Sequence, residues 1–189
     1  MTKAGALRLL PHTLLALATP AFAHPSHATG FAGGMLHPMT GIDHLLAMLM
    51  VGLWSGLCLG RYRWTGPAAF VTFMLAGFTY GAAGGALPIA EGIILASLIG
   101  LSGLLIFQVK LPVAASAGLI GLFAIGHGFA HGSAMHGSGH DYAFATGLIT
   151  TTILLHATGI GLSRFAGRRI GQATGLFATV TAAALMWPA

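Results

Sequence analysis

Apolar positions in this chain do not alternate with polar ones; they run on. Cutting the sequence at its charged and turn-forming residues leaves six long apolar stretches: 41–60, 67–86, 88–108, 112–131, 142–163 and 170–187. A helix needs about 20 mostly apolar residues to cross the hydrocarbon core of a bilayer. The pattern therefore predicts an all-α membrane protein of six transmembrane helices, joined by short connections and forming one domain over 24–189.

A shorter apolar run precedes these stretches. Lys3 and Arg8 introduce an apolar segment over 9–18, followed by Ala21-Phe22-Ala23. A cationic start, a short apolar centre and an A-x-A site read as a cleavable signal peptide over 1–23. Cleavage there would start the mature chain at His24, outside the cytoplasm. The remaining cations give an orientation. Arg61 and Arg63 follow the first stretch, Lys110 the third, and Arg164, Arg168 and Arg169 the fifth. Cytoplasmic loops carry the excess of Lys and Arg. Six spans then leave both mature termini periplasmic, in agreement with an export signal, and the expected location is the bacterial cytoplasmic (inner) membrane.

Composition points the same way. Hydrophobic residues make up 56% of the chain and charged ones only 6%, against about a quarter charged in soluble domains. Such a surface belongs against lipid. Glycine is abundant, with 29 residues, as expected where small residues let transmembrane backbones approach closely. The high pI reflects scarce acids and not a basic face, so nucleic acid is not an expected partner. Cys58 is the single cysteine, which excludes an internal disulfide and a CxxC metal site. It reads as a small packing residue. The pattern leaves oligomerisation open.

The polar residues are few and grouped. The acids are Asp43, Glu91 and Asp141, set against ten histidines. The first stretch opens with His37-Pro38-Met39-Thr40-Gly41-Ile42-Asp43-His44. A helix starting near Pro38 would put His37 and His44 on nearly one face. The fourth stretch ends in His127-Gly128-Phe129-Ala130-His131, and an i, i+4 pair projects both imidazoles from one side. Glu91 opens the third stretch. His37, Asp43, His44, Glu91, His127 and His131 thus all map to the outer third of the membrane. Ionisable groups are expensive in lipid and usually turn inward to mark a site or pathway. Imidazole nitrogens with carboxylate oxygens suit a divalent transition metal. Secondary candidates are His24 and His27 at the mature N-terminus, His136, His140 and Asp141 in the loop after the fourth stretch, and His156 in the cytoplasmic half of the fifth. Bland readings compete with some of these. Glu91 could be an acid favoured by its helix dipole, His156 a hydrogen-bonded packing residue, and the loop histidines solvated. Met48 reads as packing.

These segments resemble the HupE/UreJ family of nickel permeases. The family's first motif, a His followed by Asp-His, matches His37 with Asp43-His44. Its second, HGxAHGxE, matches His127-Gly128-Phe129-Ala130-His131-Gly132-Ser133-Ala134. The stretch from Pro88 to Glu91 with Ser97 and the run Leu154-Leu155-His156-Ala157-Thr158-Gly159 also resemble it. The resemblance implies Ni²⁺ uptake for hydrogenase or urease maturation, and it implies that His37, Asp43, His44, Glu91 and His131 matter for transport. One departure is clear: Ala134 stands where the family motif has Glu. His136, or His140 with Asp141, are candidates to substitute from the loop.

The expected function is secondary transport or facilitated diffusion of a divalent transition metal, with Ni²⁺ as substrate and Co²⁺, Zn²⁺ or Cu²⁺ as further candidates. The chain is not expected to be an enzyme, since metal ligation would leave the outer cluster without a free base or nucleophile. The rival readings are a membrane metalloenzyme and a non-transporting metal-binding accessory subunit.

Overall fold

The structure is a computed structural model that describes residues 30–135 and 142–186. Within them the fold is all-helical: α1 (Gly30–Thr40), α2 (Ile42–Cys58), a 3₁₀ turn at Gly60–Tyr62, α3 (Thr65–Ala82), α4 (Ala90–Ile106), α5 (Val113–Ala134) and α6 (Tyr142–Met186). α6 is two arms. Gly167 interrupts it with φ 57° and ψ −151°, a backbone region essentially reserved for glycine. The signal-peptide segment 1–23, His24, His27, His136, His140 and Asp141 lie outside the described residues.

The helices sit within a few residues of the apolar stretches, with one correction. Pro38 does not start the first long helix. It lies inside the separate helix α1, and α2 begins at Ile42, bent from α1 by 87°. Among the described residues two helical segments, Val113–Ala134 and Tyr142–Phe165, are long and apolar enough to cross a membrane alone, and there are three if the bent α1–α2 pair counts as one span. Helix α4 is apolar but shorter.

Helix α2 is the centre of the bundle. Ala47, Met48, Met50, Val51, Leu53 and Trp54 are all completely buried, packed against α6 and α4, while α3 pairs with α5. Glycines set how close these pairs come. A Cβ on Gly128 or Gly132 of α5 would strike the carbonyls of Met74 or Phe78 in α3, and one on Gly52 of α2 would strike that of His156 in α6. Backbone contact of this kind replaces the hydrophobic driving force that lipid denies to helix association. The outer surface is apolar instead of charged: Phe165, Tyr142, Phe107 and Val180 are among the most exposed side chains.

The bundle has two chemically different ends. Arg61 and Arg63 lie between α2 and α3, Lys110 between α4 and α5, and Arg164, Arg168 and Arg169 flank the break at Gly167. Hydrogen bonds tie these connections together: Trp54 Nε1–H donates to Val109 O at 2.9 Å, and Gln172 Nε2–H donates to Ile106 O at 3.1 Å. The start of α2 and the end of α5, which carry the paired histidines, form the opposite end.

Candidate functional site

The α1–α2 bend builds one side of the site. Gly41, at φ −106° and ψ 116°, is the extended residue between the two helices. A Cβ there would lie 2.8 Å from Asp43 Oδ1 and 3.2 Å from His44 Nδ1, so glycine lets both side chains fold back over the turn. Asp43 Oδ1 accepts from the backbone N–H of His44 and from His44 Nδ1–H, each at 2.9 Å. With the proton held on Nδ1, His44 Nε2 carries the lone pair. That nitrogen is buried and has no hydrogen-bond partner.

Helix α5 builds the other side. His127 and His131 stand one turn apart and are buried, at 0% and 3% exposure. Ser97 Oγ, on α4, gives its proton to Ile94 O at 2.6 Å and lies 2.9 Å from His127 Nε2. The hydroxyl has one proton, already used, so Nε2–H must donate to it. This leaves the lone pair on His127 Nδ1, again buried without a partner, as is His131 Nε2. The rings pack against one another: His44 with His127 at 4.8 Å between centroids, His44 with His131 at 4.6 Å, and His37 with His131 at 4.9 Å. His37 also meets the Phe144 ring of α6 at 5.3 Å.

Four histidines from α1, α2 and α5 therefore form one contiguous group, with Asp43 behind His44. His37 and His44 reach it from two helices across the bend and not, as the i, i+7 spacing suggests, from one face of one helix. Glu91 is not brought into these contacts. It is exposed in the first turn of α4, where an acid is favoured by the helix dipole. Among the described residues, no three His, Cys, Asp or Glu side chains already surround one metal position. The rings sit edge to face or tilted against one another, and a shared ion requires them to turn their free nitrogens inward.

A fifth histidine lies deeper. His156 is fully buried. Its Nδ1–H donates to Met48 O at 2.7 Å, and its Nε2 has no partner. Four of the six unpartnered buried side-chain atoms among the described residues are thus imidazole nitrogens. Each such atom costs about 1–3 kcal/mol of lost solvation.

A profile described as the HupE / UreJ protein family matches residues 12–187. The chain belongs to the HupE/UreJ family. Protein HupE of Rhizobium leguminosarum bv. viciae is 37% identical over 181 residues, spanning 92% of this chain and 95% of that protein. No solved structure matches the chain. Family and apolar helices together make this a membrane protein. The HupE/UreJ match spans every residue of the histidine group, Ser97 and His156. It also spans two side chains that sequence reasoning passed over. Phe70 touches both His127 and His156, and Thr152 contacts the sulfurs of Met48 and Met74 at 3.4 and 3.8 Å. A phenylalanine in an apolar run carries no signal of its own. Thr152 could have been noticed as a hydroxyl one turn before His156.

Proposed function

We propose that this HupE/UreJ chain is a secondary permease that carries a divalent transition metal, Ni²⁺ in the first place, across the cytoplasmic membrane into the cell. The observation that carries the reading is the fixed tautomer. His44 and His127 are each held by a hydrogen bond on one ring nitrogen, with the other nitrogen buried, unpartnered and beside a neighbouring imidazole. A hydrogen bond on the nitrogen opposite the ligating one fixes ring orientation and raises the basicity of metal-binding histidines. The set is rich in nitrogen and poor in carboxylate, which suits Ni²⁺, Co²⁺, Cu²⁺ and Zn²⁺ and not Mg²⁺ or Ca²⁺.

In this reading six spans cross the membrane, with the termini and the histidine end outside and the cation-bearing end in the cytoplasm. The gathering of the three basic connections at one end supports that orientation. His37, His44, His127 and His131 take the ion as it sheds water. Asp43 acts behind His44 as a positioning residue, and its charge offsets that of the incoming cation. Glu91, His24, His27, His136, His140 and Asp141 belong to the approach, where they raise the local cation concentration. Conduction needs binding strong enough to dehydrate the ion and weak enough to release it.

The test is Ni²⁺ influx into proteoliposomes that enclose a metal-sensitive dye. The wild-type chain should give saturable influx and His44→Ala should not. Absence of saturable influx in the wild type would remove the permease reading.

A further inference from the structure

Phe70 occupies the second turn of α3 and is completely buried. Its ring lies 5.6 Å from that of His127 and 5.0 Å from that of His156, edge-on to the latter at 81°. It therefore contacts two histidines that each hold a buried, unpartnered nitrogen, Nδ1 of His127 and Nε2 of His156. Beside His156, a cavity of about 340 Å³ opens between α3 and α6, walled by Trp64, Pro67, Val71, Ile153 and His156 itself. Trp64 directly follows Arg63, so this cavity reaches the cation-bearing end of the bundle. The histidine group, the phenyl ring and His156 thus form a line of ring contacts running inward, with the cavity alongside His156.

We propose that Phe70 is an internal gate, seated between the outer histidine group and a second metal station at His156 Nε2. The proposal rests on the transport reading above. An ion bound by His127 cannot pass directly to His156 while the ring fills the space between them, and a hydrophobic constriction of this kind blocks hydrated ions. When the ring swings aside, the next free donor is one imidazole nitrogen. Two thioethers lie about one helical turn from that station. Thr152, one turn before His156, faces Met48 Sδ and Met74 Sδ, and both methionines are buried. Thioether and imidazole favour transition metals, whereas Mg²⁺ and Ca²⁺ demand oxygen. The gate and the station behind it therefore discriminate a second time, after the outer group.

The two stations also differ in strength. His44 is backed by a carboxylate, His156 by a neutral backbone carbonyl. A charged acceptor makes the stronger hydrogen bond and the more basic imidazole. An ion moving inward passes from the tighter set to a looser one beside that cavity.

The experiment uses the full chain in dye-loaded proteoliposomes, with Ni²⁺ or Mg²⁺ alone as probe and equilibrium Ni²⁺ binding measured in parallel. Removing the ring should speed Ni²⁺ influx in the order of lost bulk, Phe70→Leu less than Phe70→Ala, the latter by about tenfold. Phe70→Ala should also admit Mg²⁺. His156→Gln should slow Ni²⁺ influx about tenfold while equilibrium binding by the outer group persists. Influx at or below the wild-type rate in both Phe70 variants, with Ni²⁺ binding retained, overturns the gate, because lost packing alone has no way to accelerate transport. Should Phe70→Ala fail to fold, Phe70→Leu decides alone. A wild-type rate in His156→Gln overturns the inner station. Failure of the transport reading looks different, since the wild type itself then shows no saturable influx.

Discussion

The outer histidine group and His156 use the same device in two settings. In both, a hydrogen bond on one ring nitrogen fixes the proton and leaves the other nitrogen buried and free. The outer group is built at a helix break, where Gly41 lets Asp43 and His44 fold back and α1 supplies His37. Its rings touch one another, and the acceptor behind His44 is a carboxylate. His156 sits alone on a regular stretch of helix, held by the Met48 carbonyl where Gly52 lets α2 and α6 come together. Burial and a free donor are common to both and cannot by themselves separate the proposed capture site from the proposed inner station. What differs is the number of neighbouring imidazoles and the carboxylate behind His44.

The largest expected effect tests that distinction directly. His44→Ala removes the ring that touches both His127 and His131, so it should lower equilibrium Ni²⁺ binding by more than the 10–100-fold typical of a supporting residue. His156→Gln should leave that binding within a factor of about two and act on rate. Titration of the detergent-solubilised variants with Ni²⁺ separates the two. Equal loss of binding in both would merge the two stations into one and break the comparison.

Asp43→Asn sharpens it. The amide oxygen can still accept from His44 Nδ1–H, so the geometry survives while the charge is lost. Binding should weaken about tenfold, the lower end of the range for such partners, with thermal stability little changed. The same titration checks this. A wild-type affinity would show that the carboxylate contributes nothing beyond what the carbonyl behind His156 supplies.

Protons and metal compete for the same lone pairs, so pH acts next. Protonation of an imidazole removes its free nitrogen, and the sign is fixed: binding and influx should fall as the outer medium is acidified. Influx that stays unchanged under acidification, with the chain still folded, would count against histidine ligation at the step that limits transport.

How much of this was legible in the sequence follows from what each feature owes to local pattern. The long helices were legible because sustained apolar runs leave few alternatives. His44, His127 and His131 were legible because a histidine stands out in an apolar context, and the i, i+4 pair states its own geometry. Helix α1 was not. Gly30, Gly33 and Gly34 give it poor intrinsic helicity; it stands because Gly34 and Gly147 bring α1 against α6 and Thr151 Oγ1–H donates to Met35 O at 2.8 Å. Missing α1 meant missing the bend, and with it how His37 reaches the group. The tautomers were equally hidden, since they depend on Ser97 and on the Met48 carbonyl, partners from other helices. Phe70 matters only through where α3 and α5 place it.

Glu91 gives the smallest expected effect and the sharpest contrast between resemblance and geometry. The family pattern implies that this residue matters for transport, and its depth in the sequence matched the outer group. In the fold it is exposed in the first turn of α4, away from the ring contacts, in a place where the helix dipole alone favours an acid. Replacing it with glutamine keeps the shape and removes the charge. The dipole interaction of an exposed first-turn acid is worth about 0.3–1 kcal/mol, so Glu91→Gln should shift thermal stability slightly and change Ni²⁺ influx by no more than about twofold, through the lost charge at the approach. Proteoliposome influx at two salt concentrations measures it: an approach effect fades as salt rises. A tenfold, salt-independent loss would mean that α4 swings its first turn into the histidine group during transport. The carboxylate missing at Ala134 would then be supplied by Glu91, and capture would belong to a rearranged outer group instead of the one built at the α1–α2 bend.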